Sequence, residues 1–588
     1  MSHVHGTHSH GDHEHSHPHG HGEPAVQPPA WADPSIPDTE LSPRALSRRS
    51  LLRNAGLLGA GTAAVTTFGA SQAAAAAPLE AQAAEDFRRK QDQQPLLFLA
   101  GDHHMHTQFS SDGLYRVRDH AEHAAQYGLD WMVITDHGGA SHAKFAVDAV
   151  NPHIQDARTA NPRLLVFQGV EWNIPAAEHG TVFVAPGPNE VAVLKQFEAT
   201  YDGTIANATD GTPGGPNTAK NEALAIAGLK FLAEKKTAGE VADALMFANH
   251  PARKGLDSPH EIRAWRDAAP GIAMGFEGAP GHQAAGIPGP GHEASGRGYY
   301  DNNPTAQSFP GYPLATYITW GGFDWMTATV GGLWDSLLAE GRPWWITANS
   351  DSHWAYRETL VHAPFAPGEN FDTHGQYPDP VEGGKPDPAT GDFLPGYYSR
   401  THVGATRFGY TDVMAGLRAG RVWVDHGGLV DGLDVRLSES GKDELGATLG
   451  GMIRVKKGTP VRLTITIDPA SRPNFHGDLP KLARVDLIKG LVTGAPADAD
   501  TFTTPYTKVV KSFDVSNRTG RIRLTLELKD TVRPFYLRLR GTDGKRSQPG
   551  LLGAAIDPHG PAADVRGNAD PWQDLWFYSN PIFVDVSR

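Results

Sequence analysis

Short apolar runs in this chain end, again and again, in His, Asp or Glu. The first is Leu96–Ala100, followed by Asp102-His103-His104-Met105-His106-Thr107 and then Ser111-Asp112-Gly113. Later runs end in Thr135-Asp136-His137, Glu171, His179, Asn249-His250-Pro251, Glu277 and Ser350-Asp351-Ser352-His353. His104 and His106, like Asp351 and His353, are two residues apart, so an extended chain points both members of each pair to one side. Imidazole nitrogens and carboxylate oxygens are donors for Zn, Mn or Fe. Delivered by successive strand ends, they build a metal cup at one rim of a sheet or barrel. The chemistry of such a cup is hydrolysis, because bound cations bring the pKa of water towards neutrality. Glu171 follows Val166–Val170, where a buried carboxylate is costly without a cation, and this suggests a bridge between two metals.

The elements that must position these residues follow a regular rhythm. Strands are expected at Leu96–Ala100, Trp131–Thr135, Leu164–Val170, Thr181–Ala185, Leu245–Ala248, Ile272–Phe276 and Trp344–Ala348. Between them, Arg118–Tyr127 reads as a helix ended by Gly128, Glu222–Lys236 as a long helix and Leu333–Glu340 as a helix ended by Gly341. Strand, ligand cluster and helix in alternation predict a parallel sheet closed as a barrel, with ligands at the strand C-termini. Two long stretches rich in Gly and Pro, Pro280–Pro313 and Pro364–Pro395, interrupt the rhythm and are placed to wall the mouth of a site. After Gly427 apolar residues alternate with polar ones, at Val461, Leu463, Ile465 and Ile467, at Ile522, Leu524, Leu526 and Leu528, and at Phe535, Leu537 and Leu539. Period-2 runs of this kind predict an antiparallel β-sandwich of about 150 residues without a ligand cluster of its own.

The 588 residues carry a formal net charge of −14, which argues against nucleic acid as a partner. Cysteine is absent, so disulfides, thiolate metal sites and thiol nucleophiles are excluded. The chain begins with a His-rich tract, His3 to His21, that can form no apolar core. Ser47-Arg48-Arg49-Ser50-Leu51-Leu52-Arg53, then a Gly- and Ala-rich run to about Ala77, resembles a twin-arginine export signal. That run is too weakly apolar for a stable membrane span. The expected organisation is a disordered tail at 1–46, the signal at 47–78, a hydrolase barrel at 95–427 and the β-sandwich at 428–588. The expected location is outside the cytoplasm, as a secreted, periplasmic or envelope protein, with the twin-arginine machinery as a partner.

Together, His104-Met105-His106-Thr107, Ser111-Asp112-Gly113, Thr135-Asp136-His137, Gly169-Val170-Glu171, Asn249-His250-Pro251 and Ser350–His353 resemble the motifs of the PHP (polymerase and histidinol phosphatase) superfamily. The resemblance spans about Asp102 to Asp425. It implies a distorted (β/α)7 TIM-like barrel and a site for two or three divalent ions. Carried onto this chain, His104, His106, Glu171 and Asp351 hold one metal. Glu171 bridges to a second, held also by His250 and His179. Asp112, His137 and His353 hold the third, with Asp112 standing where many members have His. Asp351, Glu171 and His353 are the expected catalytic residues, and Arg253 and Arg357 the expected clamps on an anionic substrate. The activity implied is a metal-dependent phosphoesterase acting on a small phosphorylated ester through a metal-bridged hydroxide. Arg400–Val424 and Tyr578–Ile582 resemble the CehA/McbA-like branch, which makes an esterase or carbamate hydrolase the alternative. A metal-binding envelope protein without catalysis is the remaining reading. His103 alternates away from the ligand face; His120 and His123 are expected to be solvated, His282 and His292 to lie in a Gly-rich loop, and His402 and His426 to lie at the surface rather than line the mouth, none of them as a ligand.

Overall fold

A computed structural model describes residues 95–287, 296–300, 303–387, 390–442, 445–544 and 570–587. The expected tail and export signal at 1–78, and His292, lie outside these residues. Seven strands carry the ligand-bearing half: β1 (Leu97–Asp102), β2 (Trp131–Ile134), β3 (Leu165–Asn173), β4 (His179–Val184), β5 (Ala244–Ala248), β6 (Ala273–Ala279) and β7 (Trp345–Ala348). Helices α1 (Val117–Gln126), α2 (Val147–Ala160), α3 (Glu190–Tyr201), α4 (Thr218–Thr237), α5 (Pro259–Ala268) and α6 (Leu333–Leu338) lie between them. Gly128 and Gly341 follow α1 and α6 at φ 77° and 73°, the left-handed backbone that ends a helix.

A short hairpin, β8 (Leu360–Val361) with β9 (Val381–Glu382), precedes β10 (Ser399–Ala405), helix α7 (Tyr410–Arg418) and β11 (Val422–His426). The remaining strands are β12 (Val430–Glu439), β13 (Met452–Lys456), β14 (Val461–Pro469), β15 (Arg484–Leu491), β16 (Thr507–Asp514), β17 (Ile522–Leu528), β18 (Phe535–Thr542), β19 (Trp576–Ser579) and β20 (Ile582–Ser587). One sheet runs β13-β20-β18-β19-β11-β10-β1-β2-β3-β4-β5-β6-β7, with β15 and β16 branching from β18.

Two features differ from a closed parallel barrel. Strand β4 is antiparallel to both β3 and β5. The connection 174–178 is far shorter than the dozen or so residues that a parallel crossover needs, so β3 and β4 form a hairpin. The backbone ladder also stays open between β7 and β1, because β10 already pairs with the free edge of β1 from Leu97 to Gly101. Side chains and strand ends stitch the seam. Thr401 Oγ1 accepts from Ala348 N at 2.8 Å and Asn580 Oδ1 from Ile346 N at 2.9 Å. Beyond the strands, Asp351 N donates to His104 O at 3.0 Å and His106 N to Ser352 O at 2.9 Å. The ligand segments after β1 and β7 are thus zipped together directly.

Past Gly427 the period-2 runs are strands, and β14 alternates between buried and half-buried residues along its length. Strands β12, β14 and β17 form a separate antiparallel sheet. Its Leu437, Leu463, Ile465 and Leu524 share one buried cluster with Val485, Leu487, Leu537 and Val584 of the long sheet. The second layer of this sandwich therefore belongs to the sheet that also carries the ligands. No helix among the described residues is long and apolar enough to cross a membrane.

Candidate metal centre

The ends of β1, β3, β4, β5 and β7 open on one cavity of about 700 Å³, lined among others by Asp112, His137, Glu171, His179, His250, Asp351 and His353. His104 and His106 lie beneath it, fully buried. His104 Nε2, His106 Nε2 and Asp351 Oδ1 form a nearly equilateral triangle with edges of 3.1, 3.1 and 3.2 Å. Atoms bound to one cation at about 2.0–2.2 Å stand about 3.0–3.5 Å apart, so the triangle has the size of a coordination face. Glu171 Oε1 lies 3.2 Å from His104 Nε2 and Oε2 lies 3.4 Å from His106 Nε2, which supplies a fourth donor. Asp351 Oδ1 is buried without a hydrogen bond, an acceptor that a cation in the triangle would satisfy.

Glu171 is the hub of the remaining donors. Its Oε1 lies 3.1 Å from His179 Nδ1 and 3.3 Å from His250 Nε2, and its Oε2 lies 2.8 Å from His137 Nδ1. His137, Glu171 and His179 make one compact group of ligand atoms; His106, Asp112, His137 and His353 make another. Asp112 Oδ2 is 3.0 Å from His137 Nε2 and 3.6 Å from His353 Nε2. His353 stacks on His106 with ring centroids 3.8 Å apart. All nine expected metal ligands are therefore brought together, and the donors present fit two or three divalent ions. His179 and His250 face the same oxygen of Glu171, Oε1, while His137 faces Oε2.

Neighbouring groups orient these donors. Glu277 Oε1 is 2.7 Å from His104 Nδ1, so that nitrogen donates and Nε2 turns its lone pair to the triangle. Glu277 Oε2 also accepts from His250 N at 2.6 Å, which links two ligand strands through one carboxylate. Replacing Glu277 by Gln is expected to lower metal affinity about 10- to 100-fold, measured by competition with a chelating dye; unchanged affinity would refute this role. His106 Nδ1 is held by Ser110 Oγ at 3.1 Å.

Backbone strain is concentrated here. Among the described residues seven that are not glycine have positive φ, and four of them, His250, His282, Tyr299 and Asp351, line the cavity. Such conformations persist where the surroundings enforce them, and they aim side chains that a relaxed strand end would not. A Cβ on Gly281 would stand 2.1 Å from Asp351 Cβ and 2.3 Å from Ser350 O. Gly281→Ala should therefore displace Asp351 and lower metal content and turnover at least about tenfold, read by elemental analysis and a rate assay. Wild-type values in both would overturn this.

The charged groups of the cup act strongly on one another. Burial pushes Asp351 up, but His104 and His282 outweigh it and hold the carboxyl well below its usual range. Burial likewise opposes ionisation of Glu171, and His179, His104 and His137 reverse it. Burial, then the neighbouring His353 and His137, lowers His106 to about 3. Burial and Arg253 bring His250 to about 3. Burial would lower His282 too, yet Asp351 and Asp392 raise it to about 10.

Of the two expected clamps, Arg253 lines the cavity, anchored on Glu178 Oε1 at 3.0 Å. Arg357 does not join it. It is exposed, with its guanidinium 5.6 Å from the Tyr356 ring centroid, and its backbone has φ 63°. His282 was not expected in the site, yet its Nε2 is 2.8 Å from Asp351 Oδ2 and its Nδ1 faces Asp392 Oδ1. With Asp351 and His353 it forms a further group of ligand atoms. Tyr299, Thr390, Gly391 and Asp392 from the two long loops complete that wall. His120 is buried rather than solvated, with Nε2 2.8 Å from His106 O, because α1 packs beneath the first ligand loop. His402 and His426 are buried too, stacked on Trp423 and Tyr398. His103 faces Thr347 and Thr181, away from the triangle.

No curated protein matches the chain. Among solved structures, a two-domain protein from Bacteroides vulgatus containing a predicted PHP-like metal-dependent phosphoesterase is similar. It shares 14% identity over 76% of this chain and 92% of its own, with a TM-score of 0.31. Residues 102–257, which supply His104, His106, Asp112, His137, Glu171, His179 and His250, match the family described as PHP domain.

Proposed function

We propose that this chain is an exported metal-dependent phosphoesterase that hydrolyses a small phosphorylated ester. The observation that carries the reading is the triangle of His104, His106 and Asp351 beneath an open cavity, extended by Glu171 to the donors His137, His179 and His250. The match of residues 102–257 to the PHP domain supports it. Bound divalent cations would supply a water acidified towards neutral pH and positive charge against the phosphoryl oxygens.

The chain's own residues do the rest. Glu171 and Asp351 would hold the cations at the floor of the cavity, where the attacking water would be supplied. Arg253, anchored on Glu178 in the cavity wall, meets an anionic oxygen of the substrate by charge-assisted hydrogen bonds. His353 lies over His106 and closes the floor of the cavity. His282 Nε2 holds a proton against Asp351 Oδ2 at the cavity wall.

The test is turnover by metal-replete protein of an aryl phosphate monoester, an aryl phosphate diester and an aryl carbamate. Hydrolysis of a phosphate ester is expected. Turnover of the carbamate alone would replace the phosphoesterase reading with the carbamate-hydrolase one. Tight metal binding with no turnover on any of the three would favour a metal-binding envelope protein. Export rests on Ser47–Arg53 and the Ala-rich run after it. Changing Arg48 and Arg49 to Lys in a fusion of residues 1–78 to a reporter should retain the reporter in the cytoplasm; undiminished export would overturn this part.

A further inference from the structure

A second cluster of ligand types lies away from the cavity, where the helical layer meets the segment before β16. We propose that Glu222, His260 and Glu261 bind one divalent transition-metal cation that fastens α4, α5 and the segment 498–502 to one another. The proposal is independent of the hydrolytic reading, since none of these residues lines the cavity. One ligand atom from each of the three lies within 4.8 Å of the others. His260 Nε2 is 3.3 Å from Glu222 Oε1, the separation of two atoms bound at about 2.0–2.2 Å to one tetrahedral cation.

Glu261 provides the independent sign of a missing ligand. It is only 5% exposed. Its Oε2 serves the start of α5, accepting from Ser258 N at 3.0 Å and from Ser258 Oγ. Its Oε1 is buried without any hydrogen-bond partner. A carboxylate oxygen in that position is costly unless a cation or a proton meets it. On the other side of the imidazole, Asp500 Oδ1 faces His260 Nδ1 at 2.5 Å. A carboxylate on one ring nitrogen is the usual support for a histidine that offers the other to a metal. One imidazole with two carboxylates suits zinc or manganese better than calcium.

What the cation would fasten is also visible. Ala499 O accepts from Arg263 Nη1 at 2.8 Å and Thr501 O from Ser336 Oγ at 3.2 Å. Phe502 packs against Phe309, Tyr312 and Trp325. The segment 498–502 thus lies on α5 and α6, and the cation would hold it through the Asp500–His260 contact.

The competing account is a protonated His260 between Asp500 and Glu222 with no metal. Crystals of the full chain grown with zinc, measured on both sides of the zinc absorption edge, decide between them. An anomalous peak bounded by Glu222, His260 and Glu261, separate from any in the cavity, is expected; a bare cluster beside occupied cavity sites would overturn the proposal. In solution, the double variant Glu222→Gln/His260→Asn should bind one zinc fewer than the wild type and lose part of the zinc-dependent rise in Tm. Asp351→Asn should keep that part. Equal zinc content in the double variant and the wild type would count against the site. Should the double variant fail to fold, diffraction from the wild type still decides.

Discussion

Asp351→Asn is expected to abolish turnover, lowering kcat/KM at least about 10³-fold while leaving the fold intact. The substitution keeps the volume and one acceptor oxygen, so packing around β7 is undisturbed. It removes the negative charge that stands 3.1 Å from His104 Nε2 and 3.2 Å from His106 Nε2. It also puts an amide nitrogen in place of one oxygen, either the one that faces His282 Nε2 or the one in the triangle. The triangle then has two imidazoles and a neutral amide, a poorer face for a divalent ion. Far-UV circular dichroism and Tm check the fold, elemental analysis the metal content and a progress curve the rate. Turnover within tenfold of wild type would remove Asp351 from the mechanism.

Metal removal and pH should show the second large effect. In the metal-free cup burial works against charge on His104, His137 and His353, but neighbouring carboxylates raise all three. His282 is raised to about 10 by Asp351 and Asp392 against its burial. The groups raised well above the usual histidine range, His104, His137 and His282, carry protons near pH 7, whereas His106 and His250, held near 3, do not. A cation that takes the lone pairs of the raised group must expel their protons. Affinity therefore rises with pH, by about tenfold per unit for each proton released. Isothermal titration of chelator-stripped protein with zinc, in buffers of different ionisation enthalpy, should report release of at least about one proton at pH 7. Stripping should abolish turnover, and readdition should restore it more effectively at pH 8 than at pH 6. A pH-independent affinity would contradict the charge arrangement described here.

Most of the candidate ligands were legible in the chain because they follow an apolar run, and strand periodicity turns that position into a direction. His104 and His106 are the clearest case: spacing alone put them on one face and His103 on the other. His179 was harder, since its place beside Glu171 depends on the register of the β3–β4 hairpin, in which His179 pairs with Asn173. His282 was not legible. It lies in no strand, its aim depends on φ 53°, and its partner Asp392 is more than a hundred residues away. Arg357 shows the reverse: it is close to His353 in the chain, yet it is exposed and outside the cavity lining. The continuity of the sheet was hidden for a similar reason. Alternation at Phe535, Leu537 and Leu539 marks β18 as a strand, but nothing local says that it belongs to the sheet holding β1.

That continuity has a consequence for how the chain is made. The backbone of Ile346, in the strand that leads to Asp351, finds its acceptor in Asn580, 234 residues later. A ribosome that has just delivered the last ligand, His353, has not yet delivered the group that completes the strand before it. The nascent cup must wait, with an unfilled edge, until Asn580 has been synthesised. Its final assembly is therefore expected only once the segment around Asn580 has been made, and not as the strand of Ile346 itself emerges.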